Sequence, residues 1–566
     1  MPSNAELAEQ FELLADMLEL DGADAFRLTA YRRAASRIRE SAVPVAQLAQ
    51  EGNATRLSGI GTTIQNKILE YAETGDLSAI AKLREKLPSG LVEVMHLPGL
   101  GPKTAKKLYV ELGVKSAGDL QAAAEQGLLA GLPGLGPKTE EKILKELAKP
   151  KKAIERKPLL GKVLPAVERA VAELHEHPAA EQVSEAGSVR RRCETVKDLD
   201  IIATASDPAA LTAHFVARPW VAEVVAHGST KATVVSHDGL RFDLRVVPPE
   251  SYGNLLQHFT GSKAHNVALR EAAVRAGFSV SEYGVQDVER GKLFRTREEA
   301  ELYEHLGYAF IPPELRENAG ELDAARDGTL PELVELGDLR GDLHSHSTWS
   351  ADARSSIEEM GLAARDRGYD YLALTDHSHY LREGRLRAQW KEIAAVNERL
   401  APFRVLRGIE VNIRANGSLD VSDEDLAECD WVIASLHTAF DRDPTGRVLV
   451  AMENPHVDCI GHLTARKINR RLPADVDLDR VIEKALETRT FLEVNSQPDR
   501  LDLRDAHARA VGEAGVLVAV STDSHSVAAL SFVELGIGQA RRGWLTKQQV
   551  LNTRPWREIE KLCKRK

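Results

Sequence analysis

Gly187-Ser188-Val189-Arg190-Arg191-Arg192 leads, after five residues, into Asp198-Leu199-Asp200-Ile201-Ile202-Ala203. The apolar run Ile201–Ala203 marks a strand, and the alternation of side chains along a strand puts Asp198 and Asp200 on one face. Two adjacent carboxylates repel unless a cation sits between them, and Mg²⁺ suits a few carboxylates plus substrate phosphates. A third acid, Asp243, lies in Arg241-Phe242-Asp243-Leu244-Arg245, a second strand of alternating charged and apolar residues. If the two strands pair side by side, three carboxylates can hold two ions for in-line phosphoryl transfer. An Asp-x-Asp pair alone is also read as solvent-facing charge on a half-buried strand. Gly187-Ser188, with a small side chain and backbone N–H groups able to meet a phosphate, favours the metal-site reading.

Upstream the chain reads as helical, with Phe11, Leu14, Ala15 and Leu18 on one helix face. Leu97-Pro98-Gly99-Leu100-Gly101-Pro102-Lys103-Thr104 recurs almost verbatim as Leu132-Pro133-Gly134-Leu135-Gly136-Pro137-Lys138-Thr139, and more loosely as Leu57-Ser58-Gly59-Ile60-Gly61-Thr62. A Gly-x-Gly turn at a helix N-terminus exposes backbone N–H groups and cradles a phosphate without reading a base. A single copy is equally a packing corner capped by glycine. Repetition of the same small-residue turn points to three hairpins that grip a DNA backbone. The stretch Lys149-Pro150-Lys151-Lys152 reads as a basic linker.

Downstream, a strand-then-helix rhythm repeats, and its strands tend to end in metal-binding residues. Leu339–Leu343 runs into His344-Ser345-His346 with Asp352 beyond, Tyr371–Leu374 into Asp376-His377, Val405–Ile409 into Glu410, and Trp431–Leu436 into His437. Cys459–Gly461 ends at His462, Phe491–Val494 at Asn495, and Leu517–Val520 at Asp523-Ser524-His525. Seven such units imply a barrel of parallel strands, whose strand C-termini build the active site. Imidazole and carboxylate together suit Zn²⁺, Mn²⁺ or Fe²⁺.

The composition fits an ordinary globular protein: 566 residues, 43% hydrophobic and 28% charged. Net charge is -11, and residues 1–318 hold 40 Lys/Arg against 44 Asp/Glu, so any DNA contact must come from local features rather than a basic domain. Apolar runs such as Gly515–Val520 are too short to span a bilayer, and the polar N-terminus shows no signal-peptide core. Four scattered cysteines suit a reducing cytoplasm, the expected location.

In order and spacing, Gly187-Ser188, Asp198-x-Asp200, Arg241-x-Asp243, Phe259-Thr260-Gly261-Ser262, Asn266 and the N-terminal Ala30-Tyr31-Arg32-Arg33-Ala34-Ala35 resemble the family X DNA polymerases. The resemblance implies that Asp198, Asp200 and Asp243 are the catalytic, Mg²⁺-binding acids of the palm. By the same resemblance, Ser188 and Arg191 grip the incoming triphosphate, Phe259 forms part of the sugar pocket, Gly187 and Gly261 also bind the nucleotide, and Asn266 and Arg270 face the new base pair. His258 stands where eukaryotic relatives commonly carry Tyr, and Lys263 replaces an acid seen in some of them. Lys67 matches the lysine that forms a Schiff base in the family's 5′-deoxyribose phosphate lyase, with Phe26, Arg27 and Thr63 at the companion positions. The hairpin glycines Gly59, Gly61, Gly99, Gly101, Gly134 and Gly136 resemble those of helix-hairpin-helix motifs.

The set His344, His346, Asp352, His377, Glu410, His437, His462, Asp523 and His525 resembles the ligand list of the PHP (polymerase and histidinol phosphatase) domain, which implies up to three ions, Mn²⁺ and/or Zn²⁺. Asp342, Asp376, His379 and Asn495 then fall to orienting roles. The expected architecture is multidomain. All-α helix-hairpin-helix domains cover 1–85 (lyase-like) and 86–150 (fingers), followed by an α+β nucleotidyltransferase palm at 151–248 and a thumb at 249–318. An acidic linker at 319–338 leads to a (β/α)7 PHP barrel at 339–566. The implied function is gap-filling DNA synthesis in base excision repair with a metal-dependent 3′–5′ exonuclease, by a monomer acting on gapped or primed duplex and dNTPs, away from membranes. The alternatives are a histidinol-phosphate-like phosphatase, or a DNA-end phosphatase or AP endonuclease, tethered to a DNA-binding module; a DNA-binding scaffold with dead sites is a further rival.

Overall fold

A computed structural model describes the chain apart from residues 1, 3, 41–44, 58, 96, 98–99, 130–134, 137–139, 141–142, 145–156 and 565–566. It divides into two compact units, Met1–Arg156 and Lys157–Lys566. The first is helical. One core gathers residues between Leu7 and Leu83, where Phe11, Leu14, Ala15 and Leu18 are buried as their spacing requires. A second gathers Leu87 to Ile143, with Leu20 joining it.

The second unit begins with a five-stranded sheet. Its strands are β1 (Ala180–Glu185), β2 (Leu199–Ala205), β3 (Val221–His227), β4 (Lys231–Ser236) and β5 (Arg241–Val246), in the spatial order β1-β2-β5-β4-β3. β2 and β5 are parallel neighbours at the centre, with Asp200 opposite Asp243. A small antiparallel sheet follows, formed by β6 (Phe278–Ser281), β7 (Gly284–Asp287) and β8 (Leu293–Phe294).

Seven parallel strands complete the unit: β9 (Gly341–Ser345), β10 (Tyr371–Leu374), β11 (Arg404–Asn412), β12 (Trp431–Ser435), β13 (Cys459–Gly461), β14 (Phe491–Asn495) and β15 (Val518–Ser521). They are arranged in sequence order, and a Ser345–Ser524 bridge draws the two edges together into a nearly closed barrel. The interior is packed with Leu343, Tyr371, Trp431, Ile433 and Phe491, and helix Trp556–Leu562 buries Trp556 and Ile559 in the same cluster. Trp556 lies 6.0 Å from Tyr371, a residue at the start of its strand, so this helix plugs the N-terminal mouth. The opposite mouth, at the strand C-termini, is left for chemistry.

The acidic segment 319–338, expected as a linker, is instead packed structure. Glu321 is buried and its carboxylate accepts from His265 Nδ1 (2.7 Å) and from the backbone N–H groups of Asn318 and Ala319. Val334 donates its N–H to Leu545 O (3.0 Å) on the barrel side. The run of acids suggested a linker, but Glu321 is buried on backbone and histidine donors, while Asp323, Asp327, Glu332 and Glu335 face solvent on a segment that is nonetheless packed. The basic linker at 149–152 lies outside the described residues.

Candidate active sites

In the first sheet the register decides the site. Leu199 pairs with Phe242 and Asp200 with Asp243, which places two carboxylates side by side; Asp198 sits one residue before β2. Burial, and after it the charges of Asp243 and Asp198, pushes the Asp200 carboxyl up to about 6. Asp243 is held by Thr233 Oγ1 (2.5 Å) and Arg241 Nε (3.2 Å). Gly187, with φ +62°, backs directly onto this pair: a Cβ there would lie 2.9 Å from Asp200 Oδ2. Only a glycine leaves room for the carboxylate.

Ser188 follows on the short helix Gly187–Arg190. Arg191, expected on a triphosphate, donates through Nε to Glu317 Oε1 (3.0 Å) and through Nη1 to the Thr260 carbonyl, beside Gly261. Phe259 lies under the Arg245 guanidinium, 4.5 Å from its ring centre. Asn266 donates to His258 O (2.8 Å) and accepts from Gln257, while Arg270 Nη2 lies 3.0 Å from His258 Nδ1. Burial, with help from Arg270 and Arg245, keeps the His258 ring below its ordinary pKa, so a neutral Nδ1 can accept.

At the barrel mouth all nine expected ligands converge, with Glu410 at the centre. Its Oε1 is 3.2 Å from His462 Nε2, 3.3 Å from His437 Nε2 and 3.6 Å from His344 Nε2; its Oε2 is 2.7 Å from His377 Nδ1 and 3.9 Å from His346 Nε2. Asp523 Oδ1 lies 3.1 Å from His346 Nε2 and 3.6 Å from His344 Nε2. Asp352 reaches in from the rim, 3.4 Å from both His377 and His525. Three groups, His346/His377/His525, His344/His346/Glu410 and His377/Glu410/His437, each bring their donor atoms within 4.8 Å of one another. Both oxygens of buried Glu410 face histidine ring nitrogens of the cluster, and His344 Nε2 and both ring nitrogens of His346 are buried without a well-formed hydrogen bond. Buried donors of this kind facing one another fit metal ions. Both Glu410 and His344 lie inside their strands, which run slightly further than the sequence suggested.

The surrounding residues aim the histidines. Glu493 accepts from His344 Nδ1 (2.7 Å), Asn412 Oδ1 from His437 Nδ1 (2.6 Å), and the Asp523 carbonyl from His525 Nδ1 (2.9 Å). Each bond leaves Nε2 as the free lone pair directed at the cluster. Asp342 accepts from Thr522 and His344 N, Asp376 from Ser347 and Gln389, and Asn495 donates to Asp523, all holding strand ends. His379 stacks 5.4 Å from His377 at a rim groove of about 390 Å³ that also holds Trp349, Tyr380, Arg382 and Arg385. Glu493 and Asn412 were not singled out from sequence. Glu493 lies two residues before Asn495 on β14, hence on the same face, and the spacing rule that paired His344 with His346 would have found it.

In the helical unit, Gly61 and Gly101 are N-caps of Thr62–Thr74 and Pro102–Leu112 with near-identical extended backbone (φ -88° and -95°). Ile60 N donates to Leu57 O and Leu100 N to Leu97 O, so the two turns repeat the same geometry. A Cβ at Gly61, Gly101 or Gly136 would meet nothing within 4 Å, and Gly59 (φ +89°) packs over Arg33. Gly99 and Gly134 lie outside the described residues. Lys67 is half-buried on helix Thr62–Thr74; Tyr31 packs 6.2 Å from Phe11 in the core, and Phe26 is 86% exposed.

Fold and sites together define a DNA-handling enzyme built from hairpin domains, a two-strand acid site and a metal-binding barrel. Family comparisons agree in each part. Residues 2–77 match the helix-hairpin-helix domain, 91–149 the SAM-like helix-hairpin-helix tandem, 255–317 the DNA polymerase beta thumb and 342–497 the PHP domain. The DNA polymerase/3′-5′ exonuclease PolX of Bacillus subtilis (strain 168) is 40% identical over 99% of both chains. Probable phosphatases of Thermoanaerobacter sp. (strain X514) and Acetivibrio thermocellus are 28% and 29% identical, over 38% and 32% of this chain and 89% and 78% of their own. The chain belongs to the bacterial family X DNA polymerases that carry a C-terminal PHP domain. Among the described residues no helix is long and apolar enough to cross a membrane.

Proposed function

We propose that this enzyme fills gaps in damaged DNA with its palm and trims 3′ ends with its barrel. The pairing of Asp200 with Asp243 carries the first half of the reading, and the convergence of nine ligands on the barrel mouth carries the second. Asp198, Asp200 and Asp243 would hold Mg²⁺, and the histidine-rich cluster up to three softer ions, Mn²⁺ and/or Zn²⁺. When bound, such ions neutralise phosphate charge and activate an attacking oxygen.

The chain's own residues do the rest. Ser188 and Arg191 meet the triphosphate, Phe259 and Gly261 the sugar, and Asn266 and Arg270 the nascent base pair. Glu493 and Asn412 fix the ring orientation of His344 and His437. Gly61, Gly101 and Gly136 leave their hairpin turns open to phosphates, and Gly59, Gly99 and Gly134 are assigned to the same DNA-binding hairpins; gapped or primed duplex and dNTPs are the substrates, and the enzyme acts as a monomer. At the rim groove, Arg385 lies over Trp349 (4.9 Å) beside Tyr380, an aromatic and basic mix that suits an unpaired DNA end.

The phosphatase relatives match the barrel region and leave the palm acids without a purpose, which favours the polymerase reading. An end-labelled gapped duplex incubated with and without dNTPs tests it. Extension with dNTPs and shortening without them is expected; a chain that releases only inorganic phosphate would reverse the assignment.

A further inference from the structure

The short helix Gly187–Arg190, which carries Ser188 and ends at Arg191, is walled on its outer side by the PHP barrel. Arg542, in the last turn of helix Val533–Arg542, reaches across with little exposure. Its Nε and Nη2 donate to Asp505 Oδ2 (3.1 and 2.7 Å), which fixes the plane of the guanidinium. Its Nη1 then donates to the Arg191 carbonyl (2.9 Å) and to Glu317 Oε1 (2.9 Å). That same Glu317 oxygen accepts from Arg191 Nε (3.0 Å), so one carboxylate joins a palm arginine to a barrel arginine. The neighbours are docked too. Arg466 Nη2 lies 2.7 Å from Glu194 Oε2, and Gly538 packs on Arg192 so closely that a Cβ would stand 3.0 Å from Arg192 Cβ.

We propose that Arg542, oriented by Asp505, is a positioning residue for nucleotidyl transfer: it sets Arg191 through its carbonyl and through Glu317, so that the grip on an incoming deoxynucleoside triphosphate is completed by the PHP domain. The inference rests on reading Arg191 as a triphosphate ligand. Two interactions give its direction. Without Arg542 the backbone of Arg191 is freed on its outer side. Glu317, no longer shared, also pairs with Arg191 alone and competes harder with the triphosphate for its guanidinium. Both changes weaken nucleotide binding, while neither touches a palm acid or a barrel ligand.

The test is single-nucleotide insertion in Mg²⁺ by the full chain, alongside 3′-end degradation of single-stranded DNA in Mn²⁺. Arg542→Gln and Asp505→Asn should raise the KM for dNTP about tenfold with kcat nearly constant. Degradation should stay close to wild type in the folded variants, while Tm should fall because each substitution leaves a little-exposed partner charge unpaired. Because Arg542 acts through Arg191, the Arg191→Ala/Arg542→Gln double variant should be no worse than Arg191→Ala alone. If Arg542→Gln does not fold, Asp505→Asn carries the test, since it loosens Arg542 without emptying its site. An unchanged KM in the folded variants beside a raised KM in Arg191→Ala overturns the proposal, as do losses that multiply in the double variant. A wild-type KM in Arg191→Ala is a different pattern; it removes the reading of Arg191 and the proposal with it.

Discussion

His377 stands between Asp352 (3.4 Å) and Glu410 (2.7 Å), and this setting fixes its proton. Burial works against the charged ring, but the charge of Glu410 and the hydrogen bond with Asp352 push it up to about 10. A raised histidine stabilises the fold fully below its unfolded value of about 6.5 and loses that contribution as pH rises through the folded one. In the ion-free protein, His377 therefore keeps its proton at pH 7 and gives stability that fades toward pH 10. Metal ligation needs the neutral ring, so Mn²⁺ binding should expel protons and tighten as pH rises. Calorimetric titration at pH 7 in two buffers of different ionisation enthalpy measures the release; identical apparent enthalpies would contradict it. Glu493→Gln should weaken Mn²⁺ binding about 10–100-fold by loosening His344, read in the same titration. The nine side chains that converge at the barrel mouth were legible because imidazoles and acids at strand ends stand out against apolar strands. Glu493 was hidden inside β14, where one buried charge among Phe491, Leu492 and Val494 reads as noise until its partner His344 is placed beside it.

Among the elements, the hairpins allow a clean test. Gly61 and Gly101 have negative φ and open space where a Cβ would stand, so the fold itself tolerates a larger residue there. Gly61→Val and Gly101→Val should leave Tm nearly unchanged yet weaken DNA binding, because the side chain stands where a phosphate would approach. The slope of log affinity against log salt should shrink by about 1 for each phosphate that the hairpin no longer holds. Fluorescence anisotropy with labelled duplex at several salt concentrations reads both effects, and wild-type slopes would return these glycines to a packing role. Lys67 on the first hairpin's helix gives a second test: borohydride should trap wild type on an incised abasic site and fail to trap Lys67→Ala. Equal trapping would move the Schiff base to another amine. The repeats were plain in sequence because the turn needs the same small residues each time. β3 was not, since its residues are half-buried or exposed throughout and carry no alternation to mark a strand.

At the scale of the whole molecule, palm, thumb and barrel share one compact unit, where sequence suggested an acidic tether between them. The misleading signal was composition: Glu321 is spent on buried partners that sequence cannot display, and Leu501 and Leu535 of the barrel side complete the palm core. Shared packing need not mean shared chemistry. The contacts of Asp243 are with Thr233 and Arg241, inside the palm sheet, and those of His344 are with Glu493, Glu410 and Asp523, inside the barrel. Neither acid nor histidine belongs to the Arg191–Glu317–Arg542 link. Asp243→Ala should thus abolish nucleotide addition while DNA binding and 3′-end degradation survive, and His344→Ala should do the reverse. The preferred ions differ as well, since three carboxylates suit Mg²⁺ and a histidine cluster suits softer metals. Adding Mn²⁺ to Mg²⁺ buffer should therefore speed degradation in wild type and in Asp243→Ala, but not in His344→Ala. Labelled primers resolved on a gel, shortened or lengthened for each variant in each metal, give the answer. Loss of degradation in Asp243→Ala, or normal degradation in His344→Ala, would place the nuclease outside the barrel mouth.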